Sequence, residues 1–359
     1  MTAKKSAPAN VATEVLMNRG WLCGKFAMPH MGHINHIHQA ATQVKELYVV
    51  VSQDDARFKD PRLSLRNRML WMKTIFKDMP HIKIVSVDET GIPGYPNGWQ
   101  QWSDLVKGAL PNVEFDAVFT SENADAPNYE KYFDGHTKRV VMVDPERKGV
   151  PISATEIRND MVKHWGMMPT IVRKDFVSKV CIVGTESTGK TSLTKMLAKA
   201  MQTSWVEEYG RTYCEQNLCM DESLLTFEDY GHIAAKRYEM EQQAVLAANR
   251  VMFADTAALS TNFFCLMYEG RENPLVTAYA EMEQYDMFIY LEDDVEWVAD
   301  GLRKNTERDY TRKLFLTMLK AYAARKGIPI VRVSGNYNQR LNKSIEAVRT
   351  LLAQPLSLT

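Results

Sequence analysis

A glycine-rich stretch in the middle of the chain constrains the fold more than any other feature. Residues 184–191, G-T-E-S-T-G-K-T, follow the apolar residues 180–183 and precede apolar residues spaced as on a helix. This order predicts a strand, a loop whose backbone N–H groups surround phosphates, and a helix, with Lys190 against the β- and γ-phosphates and Thr191 offering a hydroxyl to Mg²⁺. We therefore expect ATP or GTP, with Mg²⁺, as a ligand. A glycine turn at a helix start would explain the glycines but not the adjacent lysine and threonine.

The length of the chain indicates two domains, because one phosphate-loop domain would leave about half of the 359 residues unexplained. Strand-like and helix-like segments alternate in both halves, which predicts an α/β fold class with two doubly wound parallel sheets. The predicted strands are 21–26, 47–52, 82–87, 116–120 and 139–143, then 179–183, 204–206, 251–255, 286–291 and 329–333. The periodicity breaks at residues 165–170, so we predict a disordered start at 1–19 and domains at 20–170 and 171–359.

Composition excludes some classes of partner. Lysine plus arginine and aspartate plus glutamate both number 44, so no overall charge indicates a nucleic-acid partner. The five cysteines form no C-x-x-C pair, which is typical of a reducing compartment, and no apolar stretch has the length of a membrane span or a signal-peptide core. We expect a cytoplasmic protein with no membrane or nucleic-acid partner, and the sequence leaves open whether it is a homo-oligomer.

A turn with histidines and glycines in the first half is a second candidate phosphate site. Residues 24–33, G-K-F-A-M-P-H-M-G-H, lie between the first predicted strand and the first predicted helix, where open α/β sheets bind ligands. Gly32 permits close approach of the backbone at the helix N-terminus, and His30 and His33 would donate hydrogen bonds to phosphate oxygens. Two imidazoles at this position would stabilise charge on an α-phosphorus and on departing pyrophosphate.

Four histidines between positions 30 and 38 also raise the question of zinc. Neither an H-E-x-x-H pattern nor a cysteine partner accompanies them. We therefore expect no zinc, and we interpret His36 and His38 as ordinary helix residues.

The turn resembles the H-x-G-H motif of the nucleotidylyltransferase superfamily, and residues 152–158, I-S-A-T-E-I-R, resemble the I-S-x-T-x-I-R motif that closes the same site there. The resemblance implies that Arg158 reaches the ATP phosphates, whereas helix capping alone would explain Ser153 with Glu156 three residues later. It assigns catalysis to His30, His33 and Arg158, and ATP binding to Gly24, Lys25, Phe26, His30, Gly32, His33, Ile152, Ser153, Thr155 and Arg158.

Three further stretches in the first half carry a narrower resemblance. Residues 95–102, Y-P-N-G-W-Q-Q-W, are similar to the nicotinamide-holding loop of NadR-type nicotinamide mononucleotide (NMN) adenylyltransferases. A cationic pyridinium stacks well on indole, although tryptophans at this spacing are otherwise core residues. Residues 121–129 and 54–57 look like further pieces of that family, or like solvated loops. The resemblance implies NMN binding by Asn97, Trp99, Trp102 and Glu122.

Two arginines in the second predicted helix, Arg66 and Arg68, admit two interpretations. They would bind a phosphate or, as is commoner, lie on the helix surface.

The second half resembles small-molecule phosphate-loop kinases. Asp255 ends an apolar strand, where it would bind Mg²⁺, take a proton from an attacking hydroxyl, or only cap the next helix. Residues 300–312 resemble an arginine-rich lid, or a solvated helix start, and residues 208–211, E-Y-G-R, resemble a riboside-binding segment. The resemblance assigns catalysis to Lys190 and Asp255, and Mg²⁺ binding to Thr191 and Asp255. It assigns ATP binding to Gly184, Glu186, Ser187, Thr188, Gly189, Lys190, Thr191, Ser192, Arg303, Arg308 and Arg312, and riboside binding to Glu208, Tyr209, Arg211 and Asp255.

From about Gly20 onward the chain resembles NadR-type bifunctional NMN adenylyltransferases and ribosylnicotinamide kinases. The resemblance implies an N-terminal Rossmann-like nucleotidylyltransferase domain and a C-terminal P-loop kinase domain. The expected ligands are ATP, nicotinamide riboside, NMN and NAD, with Mg²⁺ and without flavin. Fewer than 25 residues precede the first predicted strand, so we expect no helix-turn-helix repressor domain, which regulators of this type carry.

Two alternatives stay open for the first half. In the first, this half is a nucleotide-sensing module with little turnover, although a sensor need not keep both motifs intact. In the second, it is an enzyme that acts on another phosphorylated cofactor precursor. The loop with Trp99 and Trp102 distinguishes the second alternative from NMN.

Overall fold

The computed structural model describes residues 16–53, 58–94, 96–294 and 308–353. Arg303, Tyr95 and residues 54–57, all singled out in the sequence, lie outside the described residues. The chain divides into two units, the first ending at Pro169 and the second beginning at Thr170.

The described residues of the first unit form a parallel sheet of five strands. The strands are β1 (Met17–Gly24), β2 (Val44–Gln53), β3 (Ile82–Asp88), β4 (Ala117–Thr120) and β5 (Val140–Met142). The helices are α1 (Met31–Ala41), α2 (Leu65–Ile75), α3 (Trp99–Ala109), α4 (Ala126–Tyr132) and α5 (Ala154–Asn159). The spatial order is β3-β2-β1-β4-β5, so the direction of winding reverses between β1 and β4. Ligands bind outside the carboxyl ends of the strands at such a reversal.

The alternation of side chains along β2 explains why both faces of this sheet are covered. Val49 and Val51 lie in one apolar cluster and Val50 in another, and all three are fully buried. Successive strand residues point to opposite faces, so a continuous valine run requires a layer on each side. β1 begins at Met17, inside the stretch expected to be disordered, because Met17 pairs with Val44 of the neighbouring strand.

The described residues of the second unit form another five-stranded parallel sheet. Its strands are β6 (Ser178–Val183), β7 (Trp205–Val206), β8 (Val251–Asp255), β9 (Met287–Leu291) and β10 (Ile330–Val333), in the spatial order β10-β9-β6-β8-β7. Its helices are α6 (Thr170–Arg173), α7 (Lys190–Met201), α8 (Tyr209–Asn217), α9 (Phe227–Ala247), α10 (Ala258–Glu269), α11 (Pro274–Met282), α12 (Arg308–Lys326) and α13 (Tyr337–Leu352). The pairing of Ile182 with Asp255 brings the carboxyl ends of β6 and β8 together.

The predicted fold class, two doubly wound parallel α/β sheets, is confirmed. Every predicted strand is present, with ends that differ by up to four residues. Within the described parts of the chain, no helix combines the length and the apolar character that crossing a membrane requires.

Candidate active sites

The first unit encloses a cavity of about 620 Å³ at the carboxyl ends of its strands. From the predicted site it brings together Gly24, Lys25, Phe26, His30, Gly32, His33, Trp99, Trp102, Glu122, Ile152, Ser153 and Thr155. Asn97 is exposed and Arg158 half-buried, and neither is among the lining residues. The cavity thus joins the turn after β1, the start of α3 and the start of α5.

His30 caps the helix that carries the second histidine. Its Nδ1 accepts hydrogen bonds from the backbone N–H groups of Gly32 (3.1 Å) and His33 (3.4 Å). A neutral imidazole that accepts at Nδ1 carries its proton on Nε2. That Nε2 is buried and has no hydrogen-bond partner among the described residues, and His30 is one of the residues that line the cavity.

The two imidazoles are held together and are electrically neutral. Their rings stack with centroids 3.7 Å apart. Burial, followed by the charges of Arg147 and Arg158, lowers the pKa of His30 to about 4. Burial, followed by the neighbouring His30, holds the pKa of His33 well below its ordinary value. Both side chains therefore act near neutral pH as uncharged hydrogen-bonding groups, and the positive charge at this end of the cavity comes from arginine.

The start of α5 packs directly against the start of α1. A Cβ on Gly32 would lie 3.0 Å from the His30 ring and 3.2 Å from the backbone oxygen of Ile152, so a larger residue would separate the two helices. Ser153 and Glu156 form a complete capping box. Capping accounts for Ser153 in full, and the same residue also lines the cavity.

Arg158 lies beside the cavity and is anchored on both sides. It donates to the backbone oxygen of Ala27 (3.4 Å) and to Oγ1 of Thr155 (3.0 Å). Its charge, after burial and other nearby groups, helps to lower the pKa values of His30 and His33.

The paired tryptophans pack at the margin of the core and also line the cavity. Trp99 and Trp102 meet edge to face with centroids 5.2 Å apart, and both rings pack against Tyr129 at the margin of the core. Both also line the cavity, so each indole has a buried side and a side that a ligand can reach. Glu122 pairs with Arg147 at 2.7 Å.

The sequence interpretation missed Arg68. It lies neither on the surface nor among the lining residues of the cavity: it is 1% exposed and donates to the backbone oxygens of Lys25 (2.6 Å), Ser52 (2.7 Å) and Leu63 (2.8 Å). It therefore ties the turn after β1 to the end of β2. Helical spacing from the buried Trp71 and Met72 places it on the inner face of α2, and that spacing is visible in the sequence.

Two residues that line the cavity, His36 and Arg147, were not assigned to the site from the sequence. His36 was interpreted as an ordinary helix residue, but it lies one turn after His33, lines the cavity, and has a pKa lowered mainly by burial. Arg147 lies in the loop before α5 with a left-handed backbone, φ 51°. The helical spacing of His36 from His33 is visible in the sequence, whereas no local sequence pattern marks Arg147.

In the second unit, the loop between β6 and α7 is already shaped for an anion. Gly189 adopts φ 85°, a left-handed conformation that favours glycine, at the start of the helix. Lys190 is buried, and its Nζ donates to the backbone oxygen of Thr185 at 3.0 Å. The Thr188 hydroxyl donates to the same oxygen at 2.9 Å. Gly184, Glu186 and Ser187 complete the loop, and Ser192 follows in α7.

Asp255 and Thr191 meet at the carboxyl edge of this sheet. The Thr191 hydroxyl donates to Oδ2 of Asp255 at 2.5 Å, while Oδ1 is buried without a hydrogen-bond partner among the described residues. Burial, followed by the charge of Glu208, raises the pKa of Asp255 to about 6. Two hard oxygen donors, one of them an orphaned carboxylate oxygen, suit Mg²⁺. In the described ranges, no group of three or more His, Cys, Asp or Glu residues is placed to hold a metal ion.

The remaining predicted residues are placed as follows. Glu208 is the N-cap residue of α8, which contains Tyr209 and Arg211. Arg308 begins α12, and its side chain lies outside the described residues. Arg312 pairs with Asp293 at 3.0 Å, so in this structure the guanidinium is held by the end of β9.

Comparison with known proteins places these two sites in a family. A model described as "Cytidylyltransferase-like" matches residues 21–160, and one described as "AAA domain" matches residues 179–340. The "Trifunctional NAD biosynthesis/regulator protein NadR" of Escherichia coli (strain K12) is 37% identical over 93% of this chain and 83% of its own length. The chain belongs to the NadR family. The protein of the same description from Salmonella typhimurium (strain LT2) is 36% identical over 94% of this chain and 84% of its own length.

Two solved NadR structures have the same architecture. One, of NadR protein in complex with NR, is 25% identical with a TM-score of 0.77, and covers 94% of this chain and 97% of its own. The other, of NadR protein in complex with NAD and AMP-PNP, is 26% identical with a TM-score of 0.76 and the same coverage. The expected resemblance to NadR-type enzymes is confirmed, as is the order of a nucleotidylyltransferase-like domain followed by a phosphate-loop domain.

Proposed function

We propose that the chain catalyses two consecutive steps of NAD formation. The second unit phosphorylates nicotinamide riboside with ATP, and the first unit transfers an adenylyl group from a second ATP to the NMN produced. The names of the NadR relatives and the NR, NAD and AMP-PNP in the two NadR complexes support this proposal. The observation that carries it in this chain is that each unit has its own phosphate loop, with paired neutral imidazoles in one and a buried lysine in the other.

In the first unit, a phosphate oxygen of NMN attacks the α-phosphorus of ATP. A bond forms between that oxygen and phosphorus, and the bond to the bridging oxygen of the pyrophosphate breaks. A phosphate dianion is already nucleophilic, so this step needs no general base. The Nε2–H of His30 donates to the developing oxyanion, and the stacked imidazole of His33 provides a second neutral hydrogen-bonding group beside it. Arg158 and Arg147 supply positive charge to the departing pyrophosphate.

Trp99 and Trp102 select NMN as the acceptor of the adenylyl group. The exposed sides of Trp99 and Trp102 offer indole faces to a cationic pyridinium, an attraction that a neutral ring would not share. Asn97, which the sequence assigned to the same subsite, lies outside the cavity, so we give it no role in the present arrangement.

In the second unit, the 5′-hydroxyl oxygen of the riboside forms a bond to the γ-phosphorus of ATP, and the bond from that phosphorus to the β,γ-bridging oxygen breaks, which releases ADP. Lys190 exchanges the Thr185 oxygen for β- and γ-phosphate oxygens, and the loop N–H groups align the phosphates. Asp255, with a pKa of about 6, is mostly ionised at neutral pH and accepts the hydroxyl proton.

We also propose that Thr191 and Asp255 hold the Mg²⁺ that accompanies ATP. Both offer oxygen ligands, and Oδ1 of Asp255 has no partner among the described residues. When bound, Mg²⁺ supplies positive charge that neutralises the β- and γ-phosphates.

The test separates the two activities in the full chain. Purified protein is incubated with MgATP and either nicotinamide riboside or NMN, and the products are separated by chromatography. We expect His33→Ala to abolish NAD formation and spare riboside phosphorylation, and Lys190→Ala to do the reverse. The matched controls are His38→Ala and Lys199→Ala, which change exposed residues of the same two helices.

Two outcomes contradict the proposal. Loss of both activities from either substitution in folded protein would refute two independent sites. A first unit that binds ATP and NMN but forms no NAD would instead be a nucleotide sensor.

A further inference from the structure

A buried arginine in the last helix contacts the phosphate loop of the second unit. Arg340 of α13 is 1% exposed, and its Nη1 donates to the backbone oxygen of Thr188 at 2.6 Å. Its Nε donates to the oxygen of Gly335 (2.8 Å) and its Nη2 to the oxygen of Glu292 (2.8 Å). One guanidinium thus joins the loop after β6, the end of β9 and the loop after β10.

The planarity of the peptide bond gives the contact with Thr188 a consequence for the ligand. In a trans peptide the C=O and the next residue's N–H point in opposite directions. Because Arg340 holds the oxygen of Thr188 toward α13, the N–H of Gly189 must point away from α13, into the concave side of the loop. Loop N–H groups on that side are the groups that bind phosphate oxygens.

The helix that carries Arg340 is itself fixed. Val348 is fully buried in the same apolar cluster as Leu193 and Leu197 of α7. The ring of Tyr337 lies over the loop, where a Cβ on Gly189 would be 3.3 Å from its Cε1. Asp294 pairs with the Arg340 guanidinium and accepts a hydrogen bond from the Gly335 N–H, which compensates the buried charge. These contacts leave the guanidinium little freedom to release the Thr188 oxygen.

We propose that Arg340 is a positioning residue for nucleotide binding by the second unit: it fixes the Thr188–Gly189 peptide so that the Gly189 N–H faces the phosphates. It does not touch the nucleotide. Its contribution is therefore specific for ligands with phosphates in the loop, and is absent for the riboside. The inference rests on the proposed kinase site.

The experiment compares Arg340→Met and Arg340→Lys with the matched control Arg349→Met, an exposed arginine of the same helix. In the full chain, riboside phosphorylation is measured with ATP varied and then with riboside varied. For Arg340→Met we expect the KM for ATP to rise about tenfold, the scale of one loop hydrogen bond to a phosphate, with an unchanged KM for riboside. Arg340→Lys keeps the charge but loses the forked donors, so we expect a smaller rise.

Titration calorimetry with ADP and with adenosine provides a second measurement that does not depend on turnover. ADP binding that is lost in Lys190→Ala protein is assigned to the phosphate loop of the second unit. We expect Arg340→Met to raise the Kd of this ADP binding about tenfold and to leave the Kd for adenosine unchanged. If wild-type protein binds ADP but does not phosphorylate riboside, the proposed function fails, and the titration still decides the role of Arg340.

Two results overturn the proposal. One is wild-type ADP affinity in folded Arg340→Met protein. The other is an equal loss for ADP, adenosine and riboside, which would show a purely structural role. If Arg340→Met does not fold, Arg340→Lys decides by the same criteria, with thermal unfolding as the measure of folding.

Discussion

Gly98 allows a sharp test of how the start of α3 positions the paired tryptophans. It directly precedes Trp99 and is buried against the preceding loop. A Cβ added there would lie 1.9 Å from the backbone oxygen of Pro93 and 2.8 Å from Cγ2 of Ile92. The nearest atom belongs to the backbone, so no side-chain rotation relieves the clash.

The size of the displacement follows from these distances. Real Cβ contacts are essentially never shorter than 3.0 Å, so Gly98→Ala must separate the two segments by at least 3.0 − 1.9 = 1.1 Å. Overpacking of this kind costs about 1–3 kcal/mol of stability. A shift of about 1 Å in a positioning group can cost about 100-fold in turnover. We therefore expect kcat/KM for NMN to fall about 10- to 100-fold, because Trp99 moves with the start of its helix.

The assay is steady-state NAD formation with NMN varied at saturating MgATP, together with riboside phosphorylation as an internal control. The second activity should not change, since it belongs to the other unit. Gly108→Ala is the matched substitution, because a Cβ on that glycine of the same helix meets nothing within 4 Å. Folded Gly98→Ala protein with a wild-type kcat/KM for NMN would refute the role given to this close approach.

Three further predictions test the electrostatics and the buried contacts. Since the pKa of His30 is about 4, below its ordinary 6.5, the unfolded chain binds more protons between these values, and the first unit loses stability as pH falls from 6.5 toward 4. His30→Asn keeps a side-chain acceptor at the N-cap of α1 but removes the titrating group. In urea unfolding, its free energy of unfolding should therefore fall less than that of wild type over this pH range. Asp255→Asn should lower kinase kcat at least about 100-fold without affecting NAD formation, as the two activities measured side by side will show. Arg68→Met should destabilise the first unit by about 2–4 kcal/mol in urea unfolding, whereas the exposed Arg66→Met should not.

Local patterns were sufficient for the secondary structure. The strand predicted at residues 251–255 is β8, Val251–Asp255, and the strand predicted at 82–87 is β3, Ile82–Asp88. Apolar runs bounded by turn residues specify strands because the residues that decide them are neighbours in sequence. The start of β1 was placed too late, because the pairing of Met17 with the distant Val44 extends it.

The phosphate-binding turns were also predictable, because each is a short contiguous peptide at a strand-to-helix junction. His30, Gly32 and His33 reach the same cavity as the start of α5, some 120 residues later, as the two motifs implied. The sequence could not show that the imidazoles are neutral. Their pKa values are set by burial and by Arg147, which sits in a loop that no motif marks.

What the sequence alone determined about this protein is its pair of α/β units and the identity of the groups at each phosphate loop, since spacing along the chain encodes both. What only the tertiary structure decided is the state of those groups: the burial that keeps His30 neutral, the oxygen of Asp255 that has no hydrogen-bond partner among the described residues, and the buried guanidinium groups of Arg68 and Arg340. Spacing along a helix can show that an arginine faces inward, but it does not show which backbone oxygens the guanidinium meets. That depends on which distant strand ends the fold brings within hydrogen-bond reach.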